Sequence, residues 1–177
     1  LKSLQEALEH SFSQVSYLRT ALTHKSAGKT HYEKLEFLGD SILTFAISDL
    51  LLSIHPDLNE GALSISRSRL VNKYTLSHIG KSLDLDRYIK TSLHQAISPS
   101  IRADVVEAII GACYLDSNIQ ATQALINKLF LPLVTNLNTE DIKDSKSLLQ
   151  EHAHKKKLPG PKYQVLSTEG KEHERVY

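Results

Sequence analysis

The stretch from His31 to Leu43, HYEKLEFLGDSIL, limits what this chain can fold into more than any other. Glu33, Glu36 and Asp40 stand at i, i+3 and i+7. At about 3.6 residues per turn, those spacings put the three carboxylates on one face of a helix. Leu35, Phe37, Leu38, Ile42 and Leu43, then Phe45, Ala46, Ile47, Leu50 and Leu51, are too apolar for a solvated helix. The segment therefore reads as a largely buried helix from Glu33 to Ile54. His55-Pro56 ends it, because the residue before proline is driven out of the α region. A buried helix carrying a line of acids is costly unless something positive meets them.

The segments around it also carry helical spacing. Helices are expected over residues 1–12, 16–27, about 61–71, 74–83, 101–116 and 119–137, with a mixed stretch from 84 to 100 in which Ser98-Pro99 marks a break. No alternating apolar pattern precedes residue 140, so the first part reads as all-α. Residues 136–144 are polar, as a linker would be. Asp144 and Ser145 then suit the cap of a helix near 146–157, which LPGP interrupts. Strands are expected at 162–167 and from 174, around a turn at Gly170.

Composition narrows the class. With 41% hydrophobic and 23% charged residues, wholesale disorder is excluded. No uninterrupted apolar run approaches the roughly 18 residues of a membrane span, so no membrane role is expected. The single Cys113 forbids an intrachain disulfide and suits a reducing cytoplasm. The lack of methionine suggests that residue 1 is not a natural start. Residues 1–140 hold 13 Lys and Arg against 14 Asp and Glu, whereas 141–177 hold 8 against 6. The basic excess, with its HAHKKK run, thus lies in the tail, and it fits a polyanionic partner as readily as a solvated lysine face.

A second pair of acids, Asp104 and Glu107, again at i and i+3, sits among Val105, Val106, Ala108, Ile109 and Ile110. Gly39 and Gly111 stand beside the two acidic sets, although a glycine within a helix costs about 1 kcal/mol relative to alanine. Helices meeting at these glycines would gather Glu36, Asp40, Asp104 and Glu107. Four ionised carboxylates about 6 Å apart would repel by roughly 2 to 3 kcal/mol per pair at an effective dielectric of about 20. Some must be protonated, or a hard divalent cation must neutralise them. An oxygen-only site of this kind suits Mg²⁺ or Mn²⁺ and the metal-assisted hydrolysis of phosphate esters. For a lone acidic pair, pairing with lysine or arginine or plain solvation is the better reading. Two pairs on apolar helices, each with an internal glycine, favour the shared site.

These residues carry a family resemblance. HYEKLEFLGDSIL closely resembles the hallmark of the ribonuclease III family, DVVEAIIGACYLD resembles its second acidic helix, and ALTHKSA resembles a stretch preceding the hallmark in bacterial members. Tyr32 and Lys34 differ from a common Asn-Glu-Arg form of the hallmark. The resemblance implies an all-α endonuclease domain over 1–138, a linker at 139–143, and over 144–177 the truncated first part, α-β-β, of an α+β double-stranded-RNA-binding domain. It also implies an obligate homodimer that cuts double-stranded RNA with Mg²⁺, for which Mn²⁺ substitutes. The products would be 5′-phosphate and 3′-hydroxyl ends, and the work the cytoplasmic processing of ribosomal and other precursors.

By the same resemblance Glu36, Asp40, Asp104 and Glu107 ligate the metal, with Asp40 and Glu107 central to catalysis and Glu33 and Glu60 assisting in the same valley. Gln150, Glu151 and His173 correspond to RNA minor-groove contacts. Phe37 corresponds to a dimer-interface position, although by sequence alone it reads equally as core. His152 and His154 read as surface histidines, Cys113 as an inert buried thiol, and His24 as a packing or capping residue. Arg67, Arg69 and Arg102 fit phosphate contacts, partners for acids, or plain surface. Other readings are a non-catalytic duplex-RNA-binding relative, which would have lost the acids, and an all-α Mg²⁺ nucleotide pyrophosphatase, which the RNA-binding-type tail disfavours.

Overall fold

A computed structural model describes residues 1–93, 96–137, 153 and 155–161. The chain separates into two units, Leu1–Asn138 and Thr139–Tyr177. Among the described residues the first unit is built of helices, α1 (Lys2–Leu8), α2 (Val15–Ala21), α3 (Glu33–Ile54), α4 (Glu60–Leu70), α5 (Lys73–Ser82), α6 (Pro99–Asp116) and α7 (Ile119–Thr135), with short 3₁₀ turns at Lys25–Ala27 and Leu85–Arg87. There is no strand among them; an isolated bridge pairs Thr23 with Lys90. In the second unit, Leu158 N–H donates to Ala153 O at 2.8 Å and Lys157 is left-handed (φ 53°), which closes a helical turn ahead of Pro159. The expected strands of that unit lie outside the described residues.

The central helix α3 runs from Glu33 to Ile54 and buries Leu35, Ile42, Leu43, Ala46, Ile47 and Leu51. By length and composition alone it could cross a membrane, with a mean hydropathy of 1.6. Asp40 and Asp49 interrupt the run, and the apolar face is spent on α6, α7 and α4 instead. At its end His55 Nε2 donates to Val134 O (2.9 Å), tying α3 to α7.

Among the described residues, helices α3 and α6 share the most extensive contact. They meet backbone to backbone: a Cβ on Gly39 would lie 1.8 Å from Glu107 O, and one on Gly111 would lie 2.2 Å from Leu35 O. Around this crossing Leu43, Ile47, Ile109, Ile110 and Phe130 are fully buried.

Several boundaries differ from expectation, each because a distant partner decides it. Helix α1 stops at Leu8 rather than near Phe12, because Asp116 at the end of α6 accepts the Ser13 and Gln14 N–H groups (2.7 and 2.6 Å) and draws the chain out of the helix. Helix α2 ends at Ala21, since Leu22 O and His24 N are taken up by Lys90 (2.8 and 2.9 Å). Ser98-Pro99 opens α6 rather than breaking the chain: Ser98 Oγ accepts Ile101 N–H at 3.2 Å, and proline suits a first helical position.

Gly39→Ala is expected to lower the unfolding free energy by roughly 3 kcal/mol, because the methyl meets backbone that cannot give way. Gly28→Ala, in extended backbone with open space around it, is the control. It should be neutral or stabilise by up to about 1 kcal/mol in the same denaturant titrations.

Candidate metal centre

The crossing at the two glycines decides where the acids point. Glu36, Asp104 and Glu107, all partly buried, each bring a carboxylate oxygen within 4.8 Å of the others. Asp40, one turn further along α3, is exposed and lines the same open valley of about 640 Å³. His24, Lys25, Tyr32, Glu33, Phe37 and Ile101 complete its walls.

The electrostatics separate these acids into two kinds. Burial, then the charges of Asp40, Glu36 and Asp104, push Glu107 up to about 8. Burial and then Asp104 raise Glu36. Burial also raises Asp104, against the opposing effect of the Tyr32 hydroxyl, which donates to Asp104 Oδ2 at 3.2 Å. Upward shifts are the opposite of what a lysine or arginine partner would produce. Glu33 behaves otherwise: it pairs with Lys25 Nζ at 3.0 Å, a bond that holds its carboxyl below the usual range. The bland reading of a solvated, lysine-paired acid therefore applies to Glu33 and not to the three that converge.

The donor set fits a small hard cation. Oxygens on one such ion at about 2.1 Å lie at most about 4.2 Å apart. A cluster within 4.8 Å closes on it by small side-chain movements. The proton that Glu107 retains is what a cation would replace. Glu36, Asp104 and Glu107 could hold such an ion, with Asp40 at the mouth.

The remaining candidates fall in different places. Glu60 opens α4 and accepts Ser64 Oγ (2.8 Å) beside a separate hollow, so one chain does not bring it into the valley. Phe37 is 79% exposed and is not core. Arg102 is buried and forked on Asp86, with Nε and Nη2 each 2.7 Å from a carboxylate oxygen, which removes it from phosphate contact. Arg67 reaches Ser48 Oγ at 3.2 Å. His24 caps the 3₁₀ turn, its Nδ1 accepting Ser26 N–H at 3.1 Å, and Cys113 is buried. Gln150, Glu151, His152, His154 and His173 lie outside the described residues. Tyr32 is the site residue that sequence reasoning missed, since nothing local shows its bond to a residue 72 positions away.

Residues 15–134 match the family model described as Ribonuclease-III-like. The chain is 42% identical to the protein called Ribonuclease 3 of Francisella philomiragia, over 98% of this chain and 78% of that one. The nuclease domain of ribonuclease III from Campylobacter jejuni superposes with a TM-score of 0.73 at 32% identity, covering 78% of this chain and 98% of that domain. A second structure of that domain, noted for flexibility in a region involved in dimer formation, gives 0.71 at 34% identity over 74% and 96%.

The raised acids set a pH dependence. Glu107 keeps its proton to about 8 in the fold, whereas the unfolded chain releases it near 4.5. Between those values the folded state binds more protons, so stability falls as pH rises. Glu33 and Asp86, whose values are lowered, act below that window instead. Thermal melts in EDTA should therefore show Tm falling from about pH 5 to about pH 8, with a flatter slope in Glu107→Gln. A Tm that climbs through this range in the wild type would refute the assignment.

Proposed function

The chain belongs to the ribonuclease III family, and from that membership and the acid cluster we propose that it is an endonuclease hydrolysing phosphodiester bonds of double-stranded RNA. The observation that carries this reading is the convergence of Glu36, Asp104 and Glu107 inside the matched region. The proposed ligands are these three and Asp40, the proposed ion is Mg²⁺, and Mn²⁺ is expected to substitute. A divalent ion bound there would lower the pKa of a water and offset charge on the phosphate.

The chain's own residues account for the rest. Glu107 gives up its proton when the site is loaded. Asp40, exposed at the mouth, stands where an RNA backbone enters, and Lys25 holds Glu33 to one side of it. Water attacks phosphorus as the bond to the 3′ oxygen breaks, leaving a 5′-phosphate and, after that oxygen takes a proton, a 3′-hydroxyl. Cytoplasmic processing of ribosomal and other precursor RNAs is the proposed setting, with Gln150, Glu151 and His173 of a partial RNA-binding domain, residues 144–177 beyond a linker at 139–143, contacting the duplex. A non-catalytic relative is not favoured, because every proposed ligand position keeps its acid.

A homodimer belongs to the same proposal. Phe37, Phe45 and Leu52 are 79, 56 and 57% exposed along α3. A hollow of about 220 Å³, lined by Leu51, Leu52, Leu63 and Glu60, opens beside the far end of that helix. Two α3 helices packed antiparallel and centred between Thr44 and Phe45 would set Phe37 of each copy opposite Leu52 of the other. That arrangement seats Phe37 in the partner's hollow and carries Glu60 toward the partner's valley, giving it the assisting place that one chain alone denies it.

Glu107→Gln should reduce cleavage of a long RNA duplex in Mg²⁺ by more than about 100-fold while leaving duplex binding and dimer formation intact. Wild-type protein should leave the duplex whole in EDTA. Phe37→Asp, which loses an aromatic anchor worth about 2 kcal/mol or more, should shift the protein to monomer in light scattering. An unchanged dimer would remove Phe37 from the interface.

A further inference from the structure

We propose that Tyr32 is the positioning residue of the metal centre: its hydroxyl fixes the carboxylate plane of Asp104 so that the group presents its free lone pairs to the cation. The proposal rests on the reading of the acid cluster as a cation site. Tyr32 occupies the N-cap of α3 without capping the helix through its side chain. That side chain instead crosses to α6, where its Oη donates to Asp104 Oδ2 at 3.2 Å.

The donor is itself held on every side. Tyr32 N–H donates to Thr23 O at 3.0 Å, and Tyr32 O accepts Leu35 N–H (2.8 Å) and Glu36 N–H (2.9 Å). Its side chain is enclosed, the residue being 4% exposed. The ring meets the His24 imidazole edge-on, with centroids 5.7 Å apart. His24 is fixed in turn, its N–H on Lys90 O at 2.9 Å and its Nδ1 accepting Ser26 N–H. The 3₁₀ turn and the Thr23–Lys90 bridge therefore act on the metal centre through one phenol.

The terminal torsion of an aspartate is broad and roughly two-fold, so an unheld carboxylate swings through many planes. A carboxylate also offers about four acceptor positions, and occupying one leaves the others available to an ion. Ligating carboxylates elsewhere are hydrogen-bonded in this way, and removing the outer partner lowers metal affinity about 10- to 100-fold. Because the hydroxyl takes one acceptor position of a partly buried carboxylate, it orders Asp104 and leaves the remaining acceptor positions for the ion.

The test uses the full chain and Mn²⁺ alone, titrated by calorimetry without RNA. Tyr32→Phe keeps the ring against His24 and removes only the donor. It should bind Mn²⁺ about tenfold more weakly than wild type. Its Tm in EDTA should stay within a few degrees of wild type, whereas Mn²⁺ should raise that Tm less. The Mg²⁺ concentration for half-maximal cleavage should rise by the same factor, with most of the rate recovered at saturation. If wild type binds Mn²⁺, Glu107→Gln does not, and Tyr32→Phe matches or exceeds wild type, the positioning role is overturned while the metal site stands. If wild type itself binds no Mn²⁺, both fall. A Tm lost in EDTA with unchanged Mn²⁺ affinity would assign Tyr32 to folding alone.

Discussion

Everything in the first unit depends on the contact of two helix backbones at Gly39 and Gly111. With Leu35 O facing one glycine and Glu107 O the other, α3 and α6 stand closer than any pair of side-chain-bearing positions would permit. Glycine inside a helix costs about 1 kcal/mol at each place. The close approach offsets that cost with an apolar seam that includes Ile109, Ile110 and Leu43. It also leaves the acids one turn away from the contact no freedom to avoid each other. Packing and chemistry thus share one geometric cause.

That cause was legible because it is local. The bounds of α3 follow from its apolar stripe and from Pro56, and the acid spacings 36/40 and 104/107 place the carboxylates once both helices are drawn. The convergence itself follows from the glycines, whose place in otherwise apolar helices has no local benefit. What escaped notice involves partners far away in the chain. The end of α1 is decided by Asp116, about a hundred residues on, and the end of α2 by Lys90. Tyr32 preceding an acidic helix reads as an ordinary aromatic until Asp104 is placed beside it. Phe37, ambiguous between core and interface in the sequence, is excluded from the core by its exposure.

The acid stripe is divided by what each member meets. Glu33, at the solvent end, has Lys25, and its proton affinity drops. Glu36 meets burial and then Asp104, Glu107 meets burial and then Asp40, Glu36 and Asp104, and the proton affinity of both rises. The valley thus holds a residue on α3 that stabilises the chain as an anion and residues on α3 and α6 that destabilise it as anions. The second group is retained against the interest of the empty fold. A site with that property stores repulsion that either protons or a bound cation relieve, so ions and protons compete for it.

Glu36 and Phe37 are consecutive in the chain, and this adjacency links assembly to chemistry. On a helix, neighbours lie about 100° apart, so a residue facing α6 is followed by one turned toward the open side. The rigid crossing that aims Glu36 at Asp104 therefore also aims Phe37 outward, at 79% exposure. A shift of α3 against α6 would displace both together. Any partner that seats Phe37 therefore presses on the element that holds the acids, and a change that loosens the glycine contact should weaken pairing and ion binding in parallel. As proposed, pairing and ion binding share α3 and its glycine contact, so a change in that contact reaches both.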